Sequence, residues 1–123
     1  MDIIISTASD EPKYRQIAQQ ISAQILRGDL PAGFCLPPIR TAAKELRVSI
    51  ITVKKAWEEL AREGFIDSIV GKGCFVASHR PGRLDSMRFQ KARQRLLNDI
   101  EYCRSLGLTR QELAELIDEL YED

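Results

Sequence analysis

The sequence predicts a mainly helical fold with a small β-hairpin, in which a winged helix-turn-helix domain is followed by a two-helix tail. Three observations indicate it: three stretches of helical periodicity in the first half, two short β-prone runs around Gly-Lys-Gly, and two amphipathic stretches near the carboxyl end. With 123 residues, 44% apolar and 29% charged, the composition is globular and allows one domain with a short appendage. We expect residues 1–80 to form the winged domain and residues 81–123 the tail.

The first two helices are predicted from apolar spacing and from proline and glycine breaks. Apolar residues recur at helical spacing between Pro12 and Gly28, at Tyr14, Ile17, Ala18, Ile21 and Ile25. A turn at residues 30–33 and the pair Pro37-Pro38 then break the chain. A short second helix is expected from near Pro38 to Leu46, with Ala42, Ala43 and Leu46 on its core side.

A third helix and a hairpin complete the predicted winged domain. Ser49 can cap the helix and Gly64 ends it. Its apolar positions fit one face and include the expected core anchor Trp57; they are Val53, Ala56, Trp57, Leu60 and Ala61. Two β-prone runs, 65–70 and 74–77, are separated by Gly71-Lys72-Gly73, which supplies the glycine that a hairpin turn needs.

The tail is predicted to contain two helices after a hinge-like stretch at residues 79–82. The first is marked by Phe89, Ala92, Leu96, Ile100 and Cys103, and Gly107 interrupts the pattern. Thr109 and Glu112 have the spacing of a capping box before a second apolar face at Leu113, Leu116, Ile117, Leu120 and Tyr121. Two such helices cannot bury both apolar faces alone. They need the winged domain or a second copy of themselves as cover.

Charge and residue usage exclude several functional classes. The net charge is zero, but residues 1–80 have eleven Lys or Arg against nine Asp or Glu, residues 81–97 five against one, and residues 98–123 two against eight. The acidic carboxyl end is therefore a poor contact for phosphate. His79 is the single histidine, and the glutamates of the third helix are expected on its solvated side. We expect no enzyme, no metal site and no cofactor.

Cysteine usage and hydropathy indicate a reducing compartment. Cys35, Cys74 and Cys103 are an odd number at wide spacings, which fits neither a disulfide framework nor a Cys-x-x-Cys metal pair. We interpret them as packing residues, with a bridge between two subunits under oxidation as the alternative for a cysteine on a tail helix. No apolar run approaches the ~20 residues that span a bilayer. We therefore expect a cytoplasmic protein without a secretion signal or a membrane partner.

The third helix carries the candidate reading face for DNA. Two short helices joined by a tight turn place the second one in the major groove when that helix exposes polar side chains. The outward positions are Ser49, Ile50, Ile51, Thr52, Lys54 and Lys55. Hydroxyls bond base edges or phosphates, lysines neutralise phosphates, and isoleucines contact thymine methyl groups. On chemistry alone a solvated helix face is an equal alternative.

Six ordered motifs resemble those of GntR-family repressors. They are PKYRQI at 12–17, ILRGDLPAG at 25–33, LPPIR at 36–40, VSIITV at 48–53, EGFI at 63–66 and GKGCFV at 71–76. The short remainder of about 40 residues resembles the YtrA subfamily, whose members dimerise through two carboxyl-terminal helices and often control operons for ATP-binding-cassette transporters. The resemblance implies a homodimer whose interface residues are Phe89, Leu96, Ile100, Leu113, Leu116, Ile117 and Leu120.

The resemblance also implies which residues contact DNA. Arg40 would clamp phosphate or reach a base, and the wing tip would approach the adjacent minor groove. The remaining matched positions are Ser49, Thr52, Lys54, Gly71 and Lys72, with Gly73 closing the wing turn. Two positions depart from the family: Pro38 where relatives commonly have serine, and Ile50 where many have arginine or proline. These departures leave two alternatives: weaker affinity for DNA, or an operator that is read differently, with thymine-rich positions under Ile50 and Ile51.

The expected function is a repressor that acts as a homodimer on a near-palindromic operator, with a transporter operon as the candidate target. The alternative is a winged-helix adaptor that binds another protein, and the apolar Ile50 and Ile51 are its best argument. A small-molecule effector is a further open partner; the chain leaves little room for a buried ligand pocket, and a cleft between the winged domain and the tail helices is the alternative site. The basic stretch at Arg83, Arg88, Lys91, Arg93 and Arg95 touches flanking phosphates or, the reading we prefer, pairs with the acidic last helix across the dimer.

Overall fold

The computed structural model describes residues 1–122 and has the predicted fold class, five helices and one antiparallel hairpin. The elements are α1 (Lys13–Arg27), α2 (Ile39–Leu46), α3 (Ile50–Arg62), β1 (Ile66–Ile69), β2 (Gly73–Val76), α4 (Arg83–Ser105) and α5 (Arg110–Tyr121). The chain divides into two compact units, Met1–Leu84 and the part from Asp85 onward. Among the described residues, no helix is both long and apolar enough to cross a membrane.

The core of the first unit is built around α3, against which α1, α2 and β1 pack. The largest fully buried side chains are Ile17, Ile21, Ile25, Val53, Leu60 and Phe65. Trp57 is also buried, as the helical spacing predicts. Leu46 is only half-buried and Ala61 is exposed, contrary to expectation. Ala61 follows the buried Leu60 by one residue, and the helix turns its side chain about 100° away from the core.

The turn between α2 and α3 is short and closed by backbone and side-chain hydrogen bonds. Arg47 adopts the left-handed conformation with φ 57°, and the Val48 amide donates to the Ala43 carbonyl at 3.1 Å. Ser49 caps α3 as predicted, because its hydroxyl accepts from the Thr52 amide at 3.0 Å. These bonds fix the direction in which α3 leaves α2.

The wing is shorter than predicted and is paired on a second side. β1 and β2 pair in antiparallel register from Ile66 with Val76 to Ile69 with Gly73. The segment at residues 33–36 also pairs with β2: the Leu36 amide donates to the Cys74 carbonyl at 2.9 Å, and the Val76 amide to the Phe34 carbonyl at 2.8 Å. No hydropathy alternation marks this segment, because it is too short to show a period and ends at Pro37. It ties the wing to the chain that enters α2.

A glutamine ladder holds the amino-terminal segment along α1. The Gln16 side chain accepts from the Ser6 amide at 2.8 Å and donates to the Ser6 carbonyl at 3.0 Å. The Gln20 side chain makes the same two bonds with Ile4, at 2.8 and 2.6 Å. Gln24 donates to the Asp2 carbonyl at 2.7 Å. Four helical residues rise about 6 Å and two extended residues about 6.6 Å. The two repeats would match in an extended chain, and the three glutamines hydrogen-bond to the backbone of residues 2–6.

The second unit consists of most of α4 and of α5. The predicted capping box is present, because the Glu112 amide donates to the Thr109 hydroxyl at 3.2 Å and the Thr109 amide to the Glu112 carboxylate at 2.9 Å. α4 begins at Arg83, six residues before the first apolar marker Phe89. α5 has no buried residue.

Candidate nucleic-acid interface

The outward face of α3 presents the predicted reading residues at its amino-terminal half. Ile51 is 77% exposed and Ile50 is 41% exposed. Lys54 and Lys55 are exposed on the next turn, while Thr52 is half-buried. The face lies opposite the side that buries Val53, Ala56, Trp57 and Leu60. α3 therefore offers solvent an apolar tip followed by two cations.

The hydroxyls of Ser49 and Thr52 are partly used within the helix cap. Their oxygens lie 2.8 Å apart, in addition to the bond from the Thr52 amide to Ser49. Two hydroxyl hydrogens are available, and the mutual bond takes one of them. One O–H is left to donate outward, which suits an acceptor such as a phosphate oxygen or a base carbonyl. The sequence predicted the cap but not this sharing.

The wing side of α3 brings together the predicted residues of three elements. Arg40, Lys72 and Gly73 line a cleft of about 360 Å³, to which the buried Trp57 also contributes. Lys54 lines a neighbouring cleft of about 240 Å³ with Ser68 of β1. Cations from α2, α3 and the wing tip therefore lie around one edge of the reading face.

The wing turn has the conformation that its glycines allow. Gly71 and Gly73 have φ values of 78° and 116°, which L side chains rarely adopt. The Lys72 amide donates to the Ile69 carbonyl at 2.9 Å and closes the turn. Nothing lies within 4 Å of where a Cβ would stand on either glycine, so the wing tip is open for close approach.

The α1 side of α3 carries a second set of cations, of which the sequence singled out only Lys55. The Lys55 ammonium lies 4.3 Å from the centre of the Tyr14 ring. Arg15 donates from Nε to the Tyr14 hydroxyl at 3.3 Å, and this bond raises the pKa of Arg15. A hydrogen bond to Glu59 similarly raises the pKa of Arg62. Lys55, which the sequence grouped with Lys54, belongs instead to this edge. Contacts between α1 and α3 are not visible in a helical period, so only the fold reveals the set.

The two departures from the family pattern occur at exposed positions. Pro38 precedes α2 and provides no side-chain cap for it, so neither a hydroxyl nor an amide hydrogen is available there. Ile50 opens α3 with an apolar side chain. Charge for a DNA contact must therefore come from other residues of this face.

The tail presents an apolar groove. A groove of about 840 Å³ runs between α4 and α5, and six of the seven residues expected at a dimer interface line it: Leu96, Ile100, Leu113, Leu116, Ile117 and Leu120. Phe89 lies outside this groove and lines a smaller one of about 430 Å³ on α4. Cys103 is half-buried in the larger groove. Large side chains at these positions remain exposed, including Phe89 at 68% and Leu120 at 61%.

Potential metal chemistry finds no support in the described part of the chain. No three His, Cys, Asp or Glu side chains among residues 1–122 are grouped so that they could hold a metal ion. Cys35, Cys74 and Cys103 are all free thiols; Cys74 and Cys103 are half-buried, whereas Cys35 is exposed, contrary to its interpretation as a packing residue.

Comparison with known proteins identifies the family. The profile of the family described as bacterial regulatory proteins, gntR family, matches residues 13–76. The HTH-type transcriptional repressor YtrA of Bacillus subtilis is 31% identical over 121 residues, which cover 98% of this chain and 93% of that protein. The similarity therefore extends beyond the winged unit into the tail.

Solved structures agree with the fold. A protein described as a transcriptional antiterminator from Listeria monocytogenes EGD-e superposes with a TM-score of 0.78 at 32% identity, covering 100% of this chain and 91% of that one. YtrA from Sulfolobus acidocaldarius, a GntR-family transcription factor, has a TM-score of 0.59 at 37% identity, covering 86% and 98%. The DNA-binding domain of AraR, solved in complex with its operator ORX1, has a TM-score of 0.55 at 28% identity, covering 63% and 96%.

These relatives are transcription regulators and not enzymes, which agrees with the absence of catalytic chemistry expected from the sequence. Membership of one family explains the winged unit, the exposed face of α3 and the match over residues 13–76. The chain belongs to the gntR family of bacterial regulatory proteins, as a YtrA-like transcription regulator with a winged-helix DNA-binding domain.

Proposed function

We propose that this chain is a sequence-specific repressor that binds a near-palindromic operator as a homodimer. The observation that carries the proposal is the position of Arg40, Lys54 and Lys72 around one edge of the exposed α3 face. A helix that enters the major groove needs cations on its flanks and base-reading groups on its tip. This surface has both.

Each contact residue has a distinct role in the proposed complex. Arg40 and Lys72 hold phosphates beside the groove, and the open turn at Gly71 and Gly73 lets the wing backbone approach the minor groove. Lys54 adds a phosphate contact from α3 itself. The one outward O–H shared by Ser49 and Thr52 donates to a base or phosphate acceptor. Ile50 and Ile51 read thymine methyl groups by apolar contact.

The homodimer is supported by the exposed apolar face of the tail. The groove between α4 and α5 has a volume of about 840 Å³, and eight of its thirteen lining side chains are aliphatic. Exposure of such an apolar face to water is unfavourable unless another surface covers it. A second copy also offers complementary charge, because α5 is acidic and the start of α4 is basic. We assign residues 1–80 to DNA binding and residues 81–123 to dimerisation; the division into two compact units after Leu84, four residues further on, supports this assignment.

Repression would be steric. Two winged domains held by their tails insert α3 helices into successive major grooves, about one helical turn or a small multiple of it apart. The bound dimer then blocks transcription initiation. By its likeness to the YtrA subfamily, we propose a transporter operon as the target, and a small molecule as the signal that releases the repressor.

The test is equilibrium binding to the promoter region of the protein's own gene, with an unrelated duplex of equal length and base composition as control. We expect binding to its own promoter to be at least ~10³-fold tighter at physiological salt, the range of specific DNA recognition. Equal affinity for the two duplexes would contradict specific repression. It would favour the adaptor function, for which the exposed Ile50 and Ile51 would form the contact with a protein.

A further inference from the structure

We propose that the α1 side of α3 is a second phosphate-binding rim, formed by Arg15, Lys55 and Arg62 around Tyr14. It would hold the phosphate backbone on the wall of the major groove opposite the one held by Arg40 and the wing. The proposal rests on the proposed function, since it assumes that α3 enters that groove.

The geometry of α3 separates its two lysines. Ile51 and Glu58 are seven residues apart and lie almost on one line along the helix. Lys54 and Lys55 lie on opposite sides of that line, because successive residues are about 100° apart. Lys54 lines the cleft with Ser68 of the wing, whereas the Lys55 ammonium lies 4.3 Å from the centre of the Tyr14 ring of α1. The exposed ridge of α3 therefore has cations along both flanks.

Tyr14 organises the second flank. Its ring face receives the Lys55 ammonium, and its hydroxyl accepts from Arg15 at 3.3 Å. The Tyr14 hydroxyl hydrogen is then left to donate to an external acceptor. Arg62 extends the rim along α3 and pairs with Glu59, while Glu11 and Glu63 also lie within electrostatic range of these arginines. The rim thus carries preordered donors that a phosphate oxygen can accept from.

The start of α1 also favours a bound phosphate at this rim. Lys13 and Arg15 occupy its first turn, where no acidic residue is present and Pro12 gives no side-chain cap. Cations at a helix amino terminus oppose the helix dipole and therefore destabilise the helix. A phosphate at this end would offset that effect and accept from the amides of Lys13 and Tyr14, since the Arg15 and Gln16 amides already donate to the Pro12 carbonyl.

A rim on each flank explains how α3 is oriented. The major groove is about 12 Å wide and a helix with its side chains about 10–12 Å across, so both walls lie within reach of side chains. Contacts on one wall alone would let the helix roll about its axis. Contacts on both walls fix the roll, and Ile50 and Ile51 then face the bases.

The salt dependence of DNA binding tests the rim. Removal of two phosphate contacts by the double substitution Arg15→Gln and Lys55→Gln should flatten the slope of log Kd against log salt by about 2 and weaken binding to its own promoter and to unrelated duplex alike. The matched control is Arg27→Gln with Arg80→Gln, which removes the same charge at exposed sites away from the rim. Circular dichroism and thermal melting establish that both variants fold.

A neutral methylphosphonate placed at one phosphate at a time locates the rim on the DNA. Some phosphates should weaken DNA binding of the wild type, but not of the rim variant, when they are neutralised; we expect these on one wall of the groove. Phosphates whose neutralisation weakens binding of the wild type but not of Arg40→Ala should lie on the other wall. A rim variant with the slope of the control, or two sets of phosphates on the same wall, would overturn the rim while leaving specific binding intact. A wild-type chain that binds no duplex would overturn both proposals.

Discussion

The side chains around the start of α3 show what a sequence pattern does and does not contain. The cap at Ser49 and the outward position of Ile51 follow from spacing alone, and the structure agrees with both. The mutual bond between Ser49 and Thr52 depends on two rotamers, which no spacing records. Lys55 was predicted on the outward surface without an edge, because its contact with Tyr14 comes from another helix.

Two cations on the wing side provide the most direct substitutions. We expect Arg40→Ala and Lys54→Ala each to weaken operator binding by about tenfold, or 1.4 kcal/mol, through loss of a phosphate contact, and to lower the salt slope by about 1. Fluorescence anisotropy over a salt series measures both quantities, and sedimentation should find the dimer unchanged. Arg27→Ala, at the far end of α1, is the control. Affinity and slope equal to the control would remove these residues from the interface.

The apolar tip of α3 predicts a sequence preference. Ile50 and Ile51 offer methyl groups and no hydrogen-bond donors from their side chains, so they favour the thymine methyl group over guanine. Selection from random duplexes should therefore enrich thymine at the positions beneath α3. Ile51→Arg should shift the selected bases towards guanine, since arginine bonds the O6 and N7 of guanine. A guanine-dominated site for the unaltered chain would contradict this assignment.

At the level of elements, the helices and the hairpin were predictable and the pairing partners were not. Glycines mark where α1 and α3 end, and the caps Ser49 and Thr109 mark where α3 and α5 begin; those signals are local. The added pairing of residues 33–36 with β2 and the hold of α1 on residues 2–6 are interactions between distant segments. The glutamines of the ladder do repeat every four residues, at Gln16, Gln20 and Gln24. That repeat alone does not predict the bound segment, because glutamines at helical spacing are also common on solvent-facing helix surfaces.

The ladder makes a prediction of its own. Gln20→Ala removes both hydrogen bonds to the backbone of Ile4. Each contributes at most about 0.5–1.5 kcal/mol to the free energy of unfolding, because the pair is exposed. We expect faster amide exchange at Ile4 and a small loss of stability, with DNA binding unaffected. Gln19→Ala, at the exposed neighbouring position, is the control. Unchanged exchange at Ile4 would contradict the ladder.

At the scale of the whole molecule, the chain joins a DNA-binding unit to a tail whose apolar face is exposed. The sequence predicted both faces of the tail but left open what covers them, because an amphipathic period shows that a face is apolar and not what it packs against. In the structure α5 buries none of its residues, and its leucines line the groove shared with α4. A second chain is the cover that we propose.

Charge placed in that groove should separate the dimer. We expect Leu116→Asp or Leu120→Asp to give a monomer, because two buried carboxylates would face an apolar interface. Operator affinity should then fall by 10²-fold or more through lost bivalency. Gln111→Asp introduces the same side chain at an exposed α5 position outside the groove and should remain dimeric. The measurement is molar mass by light scattering on the eluting protein; a Leu116→Asp variant with the mass of the wild type would contradict this interface.

The central claim is that two copies of the α3 face read two half-sites of one operator. Hydroxyl-radical footprinting of the full chain on its own promoter tests it most directly. We predict two protected half-sites related by approximate two-fold symmetry, with centres about 34–36 Å apart or a small multiple of that distance, and loss of both together in the Leu116→Asp variant. A single protected site that the Leu116→Asp variant covers as tightly as the unaltered chain would contradict the claim.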